Sequence, residues 1–280
     1  MKLRRPILAA LMLWPLLAAA ADDDCLPAQP DKLVWKKVQY VSSGNKLVVD
    51  NHYVMLEGVV APERGRPNKW NHRSDDPLAK QAKLFLLRLF ANHDMQVGIE
   101  HDQKRYDRFL RELGHLYYRD AQGRLHSVQR ALLRAGLALA ATNPPNLKHQ
   151  NCYYRAEKTA RKAVRGIWRI AKQYPDLKYP IIPSNKIAGD DEGYRIVRGP
   201  VRRIVSVRGF EGFNLDTTGI RIPEEDFRRY WNKGMLRQLR GKTIEVRGRP
   251  YFALGHMYMV VRHPNAINLL NPVYDADGIK

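Results

Sequence analysis

The chain has 280 residues, 44% of them hydrophobic, with 48 lysines and arginines against 28 acidic residues and a net charge of +20 at neutral pH. That length suggests two domains of ordinary size, and the apolar share is that of globular proteins, which excludes an unstructured chain. Two cysteines, and histidines at no H-x-x-x-H spacing, disfavour a zinc site. The basic balance favours a polyanionic partner without choosing between nucleic acid, an anionic envelope polymer and a membrane surface.

The chain opens on the basic Met1-Lys2-Leu3-Arg4-Arg5, runs apolar from Ile7 to Leu17 and continues into Ala18-Ala19-Ala20-Ala21. This is the pattern of a secretory signal peptide over residues 1–21. The apolar run is shorter than the ~20 residues a membrane span needs. No other stretch reads as transmembrane. Export to the periplasm or the medium is therefore expected. In an oxidising compartment Cys25 and Cys152 are expected to pair, the alternative being two unpaired thiols.

Strands are expected over 33–38, 46–49 and 53–56, with turns at Gly44 and at Asp50-Asn51-His52. Residues 64–75 read as a basic polar loop. Asp76-Pro77 reads as a helix N-cap followed by proline at the first helical position, and Leu78, Ala82, Phe85, Leu86, Leu89 and Phe90 form a helical stripe. Strands return near 96–100 and 110–118. A helix is expected from Ser127 to Gly136, and another over about 152–165. Pro175, Pro180, Pro183, Gly189 and Asp190-Asp191 mark 171–193 as a linker. Residues 194–272 carry five alternating segments with a short helix between the third and fourth, the pattern of a small OB-like β-barrel.

Two stretches carry chemistry. Val54-Met55-Leu56-Glu57-Gly58-Val59-Val60-Ala61-Pro62-Glu63 reads as a strand ending in a turn that presents one carboxylate. Asp107-Arg108-Phe109-Leu110-Arg111 presents a guanidinium at the start of another strand. A glutamate and an arginine facing each other would suit phosphodiester cleavage, one as base for water and one as clamp for the phosphate. Together with Ala131-Leu132-Leu133-Arg134-Ala135-Gly136-Leu137-Ala138 and Gly166-Ile167-Trp168, in that order, these blocks resemble the staphylococcal nuclease family over about 33–170. The resemblance implies an OB-type five-stranded barrel with three helices. The whole chain is then mainly β (α+β), with the small OB-like barrel behind.

The resemblance also implies calcium-dependent hydrolysis, with the metal held chiefly by two aspartates and the phosphate clamped by two arginines. Here the aspartate positions are Asn45 and Val60, and the first arginine position is Met55. Only Glu63 and Arg111 remain. An amide ligates calcium without charge, valine does not ligate at all, and Lys46 adds a repelling cation. Removing one such clamp costs roughly 10²–10³ in rate. The segment after Gly136-Leu137-Ala138 lacks the tyrosines on which the family stacks a base. Hydrolysis would need replacement ligands such as Asp50, Glu57 or Asp107. Glu63 has a second, structural reading, as the cap of a turn or as an ion pair with Arg111.

Phosphates can be held without chemistry. Arg64, Arg66 and Lys69 share one loop, and Lys104, Arg105 and Arg108 another. In the second barrel Arg247, Arg249 and Tyr251, with Phe252 and Tyr258, interleave cations with aromatics as single-strand binding requires; a solvated basic surface and core packing explain the same residues. The expected function is an exported binder of DNA, RNA or another anionic polymer, with no cofactor. A divergent metal-dependent endonuclease, using calcium or a similar ion, and an envelope interaction scaffold are the alternatives.

Overall fold

The computed structural model describes residues 25–65 and 74–270. The signal-peptide segment, Arg66 and Lys69 lie outside the described residues.

The first barrel is built on one long strand, β1 (Val34–Ser43), which shifts register after Val38 and again after Val41. Those irregularities let its first half pair with β5 (Gln96–Glu100) and its second with β2 (Lys46–Val49). Asp50 and Asn51 turn the chain, both at positive φ, between the paired Val49 and His52. Those are the residues and the conformation of a tight hairpin. β3 (His52–Leu56) then runs parallel to β6 (Glu112–Arg119), which closes the ring β1–β2–β3–β6–β5. Val38, Val41, Leu47, Val49, Val54, Val97 and Leu116 fill the ring and are almost fully buried. Two residues form β4 (Val59–Val60), and β7 (Leu125–Ser127) extends the sheet beyond β6.

Three helices cover this core: α1 (Ala79–Ala91), α2 (Val128–Arg134) and α3 (Gln150–Lys162). Ser127 caps α2 through its hydroxyl, which accepts from the Arg130 amide. The expected cap at Asp76 is not one. Leu78 occupies the N-cap position, and the Asp76 carboxylate is taken by the Glu63 amide at 2.9 Å and by Arg195 at 2.9 Å. A disulfide joins Cys25 to Cys152 on α3 across 127 residues, with both cysteines buried. Between α2 and α3 lies the two-residue β8 (Leu139–Ala140), paired with β4.

The expected linker is instead part of the fold. It holds the end of α4 (Ile167–Gln173) and then β9 (Ile181–Pro183), which pairs in parallel with β10 (Arg195–Val207). Tyr179 and Ile182 are buried, and the Ser184 hydroxyl donates to Asp216 at 2.6 Å. A small apolar core spans both halves of the chain: Leu139, Ala160, Ile167, Trp168, Tyr179 and Ile196.

The second barrel repeats the strand order of the first without closing the ring. β10 pairs with β11 (Phe210–Leu215) along one half and with β13 (Thr243–Gly248) along the other. β12 (Thr218–Pro223) follows β11 and pairs in parallel with β15 (His256–Val260). Two short helices, α5 (Glu224–Tyr230) and α6 (Lys233–Leu239), separate β12 from β13. β14 (Pro250–Ala253) makes a hairpin with β15, and β16 (Ile267–Leu269) adds to β13. The strand path stays open between β13 and β15. There Gly248 lies so close to Met259 that a Cβ would stand 2.8 Å from its Cγ. No helix among the described residues is long and apolar enough to cross a membrane.

Candidate functional site: the remnant cleft and its seam with the second barrel

The turn between β1 and β2 brings Asn45 beside the end of β3, where the Leu56 amide donates to the Asn45 carbonyl at 3.0 Å. Gly44 is required there. A Cβ at this position would come 2.6 Å from the Ala82 methyl and 2.7 Å from that of Ala61. Lys46 is the cross-strand partner of Met55, and its ammonium also lies 5.7 Å from the centre of the Tyr53 ring. β4 leads through Val60, Ala61 and Pro62 to Glu63. Asn45, Met55, Val60 and Glu63 therefore belong to one neighbourhood, set by the β2–β3 hairpin and by β4 on β8.

This donor set does not fit a divalent cation. The Asn45 side-chain oxygen accepts from the Ser43 hydroxyl at 3.1 Å, and Val60 has nothing to give. Among the described residues no three acidic, histidine or cysteine side chains converge as metal ligands would. The candidate replacements are engaged elsewhere. Asp50 sits in the β2–β3 turn and accepts from the Lys37 amide at 3.3 Å. Glu57 is buried and accepts from Gly58 N at 2.9 Å, Asn143 Nδ2 at 3.0 Å and Asn146 Nδ2 at 3.1 Å. Burial pushes its carboxyl up, against the pull of those hydrogen bonds. Asp107 takes the Arg111 guanidinium at 2.6 Å and the Phe109 and Arg111 amides at 2.8 and 3.0 Å. Burial works to raise its carboxyl, but these bonds hold it below the ordinary value.

Glu63 and Arg111 are each held by a different partner. Both Glu63 oxygens receive the two terminal nitrogens of Arg249, a forked ion pair reaching in from the residue between β13 and β14. The main chain of Glu63 is doubly bonded to Asp76, the amide to the carboxylate at 2.9 Å and the carbonyl to the Asp76 amide at 2.8 Å. Arg111 lies 5.0 Å from the centre of the Phe109 ring, and Arg108 lies 4.7 Å from it. The expected ion pair between Glu63 and Arg111 is thus replaced by Glu63 with Arg249 and Arg111 with Asp107.

Of the expected phosphate contacts, Arg64 is exposed and faces Asp75 at 3.5 Å. Lys104 is exposed, with its amide bonded to Asn146. Arg105 is partly tied to Glu112 at 3.1 Å and lies over the Tyr106 ring. Arg247 must be corrected. It is 5% exposed, and its guanidinium is locked on Glu157 of α3 at 2.6 and 2.7 Å, so it is no surface cation. Arg249 is half exposed but committed to Glu63, and Tyr251 stands 44% exposed on β14.

The sequence reading missed the seam that causes this. Glu245 and Arg247 on β13 and Arg249 just past its end alternate along the chain, and all reach the first barrel. Glu245 is fully buried and receives Arg161 of α3 at 2.7 Å and Arg198 at 2.7 Å. Burial alone would raise its carboxyl, but the two guanidinium groups bring it down to about 2. The period-2 run Glu245-x-Arg247-x-Arg249 was the available signal, and it marks a strand face turned toward a charged partner.

Residues 53–170 match the family described as staphylococcal nuclease homologue. The thermonuclease of Staphylococcus hyicus is 29% identical over 136 residues, which cover 47% of this chain and 74% of that protein. The thermonuclease of Staphylococcus intermedius is 30% identical over 135 residues, with the same shares. The family match, over residues 53–170, leaves the second barrel outside.

Proposed function

Since this chain belongs to the staphylococcal nuclease family, we propose that it is an exported member that binds nucleic acid, or another polyanion, and no longer runs calcium-dependent hydrolysis. The observation that carries the reading is the fate of Glu63. In place of a metal-held water beside a free carboxylate, it meets a forked guanidinium from the second barrel. The identities Asn45, Val60 and Met55 support it, because they remove two anionic ligands and one phosphate clamp from the neighbourhood. The charge of +20 and the exposed cations Arg64, Lys104 and Arg108 favour a polyanion.

The test is a DNA and RNA zymogram with calcium, magnesium or manganese, run beside gel shifts at low salt. Shifts without clearing support the proposal. Clearing that disappears in Glu63→Gln would instead establish a divergent metal-dependent endonuclease. Neither shift nor clearing would leave an envelope scaffold whose charge serves adhesion.

A further inference from the structure

One row of paired residues crosses five strands of the second barrel: Arg203 on β10, Asn214 on β11, Gly219 on β12, Tyr258 on β15 and Tyr251 on β14. The chain neighbours of the first four, Ile204, Phe213, Leu215, Ile220 and Met259, point into the core, and Tyr251 is itself 44% exposed. Strand alternation therefore turns the row outward. Arg221, two residues beyond Gly219 and on the same face, donates to the Asn214 side-chain oxygen at 3.2 Å and lies 4.8 Å from the centre of the Tyr258 ring.

Gly219 is what permits this arrangement. A Cβ there would stand 2.7 Å from Tyr258 Cδ1 and 3.1 Å from Arg221 Cζ. Without it, the ring and the guanidinium both settle onto the strand. The Tyr251 ring follows at 5.9 Å, tilted by 34°, and His256 meets Tyr258 edge-on. Arg203 stands exposed at the other end of the row.

We propose that this face is a binding site for single-stranded nucleic acid, with unstacked bases lying on Tyr258 and Tyr251 and phosphates drawn by Arg203 and Arg221. The proposal rests on the nucleic-acid reading above and moves its main contact from the remnant cleft to the second barrel. A row of arginine, asparagine, glycine and two tyrosines offers ring faces beside cations, which suits splayed bases. A duplex hides those faces and presents only phosphates to such a surface.

Fluorescence anisotropy of the full chain at low salt, with a labelled oligothymidine and a duplex of equal length, tests this. Tyr258→Ser and Tyr251→Ala should each weaken single-strand binding roughly tenfold while duplex binding stays unchanged. Tyr258→Phe should retain it. Tyr251 is exposed, so its variant tests the site without disturbing the core. Equal losses on both probes, or no loss while the unaltered protein binds, would overturn the site and leave the nucleic-acid reading standing. No binding of either probe by the unaltered protein would overturn both. Binding to phosphatidylserine vesicles that is lost in Tyr258→Ser would reassign the face to lipid and overturn the proposal.

Discussion

Single side chains set how this protein meets acid. His115 is 1% exposed, with Nδ1 at 2.8 Å from the Tyr153 hydroxyl and Nε2 buried without a partner. Burial first, then the charge of His149, holds its pKa down to about 3 against an ordinary 6.5, with Glu100 pulling the other way. The folded protein therefore keeps it neutral while the unfolded chain takes up a proton. Stability from this group is complete above about pH 6.5 and falls by about 1.4 kcal/mol per pH unit as pH drops toward 3. Denaturation at pH 7, 6 and 5 should show the loss setting in below pH 7 and approaching that slope between pH 6 and 5, and His115→Gln should flatten it. Glu245 adds a second loss between its ordinary 4.5 and about 2, because its depressed carboxyl stabilises the fold only while ionised. At the cleft, Arg249→Ala should cost no more than about 1 kcal/mol, since both partners of that ion pair meet water. That positions 45, 55 and 60 carry an amide, a thioether and an aliphatic group is legible in the sequence itself. The new partner of Glu63 was not, because it comes from 186 residues away.

Elements were legible where their signals are local. The Asp50-Asn51 turn and the start of α2 after Ser127 depend on neighbours within a few residues, and both formed where expected. Asp76 looked the same in sequence, yet its carboxylate serves Arg195, 119 residues on. Residues 171–193 looked like a linker because their prolines conceal β9, which exists only through its pairing with β10. β13 was misread for a related reason. Arg247 and Arg249 alternate as a binding strand's cations would, but their counter-charges are Glu157 on α3 and Glu63 after β4. Arg247 shows the cost of losing one. Arg247→Ala should destabilise the protein by about 3–5 kcal/mol in urea, because it leaves Glu157 charged and buried. Arg247→Met with Glu157→Leu should recover most of that loss, because no unpaired charge then remains.

Across the whole molecule, charge and covalent closure matter most. If the +20 chain grips phosphates, its affinity should fall along a straight line in log–log plots against salt, and each cation removed from the contact should flatten that line. The Cys25–Cys152 bond closes a loop of 127 residues, and reducing it should lower stability by about 2–5 kcal/mol, seen as a lower melting temperature in reductant. The charged seam carries a consequence for anyone dividing the protein. A fragment stopping after Trp168 would present Glu157 with no arginine to meet it and would strip the apolar lid from Leu139 and Ile167. Its complement would carry Glu245 short of one cation and Arg247 stranded. A truncation series should therefore yield soluble material only when both ends of the seam are kept together.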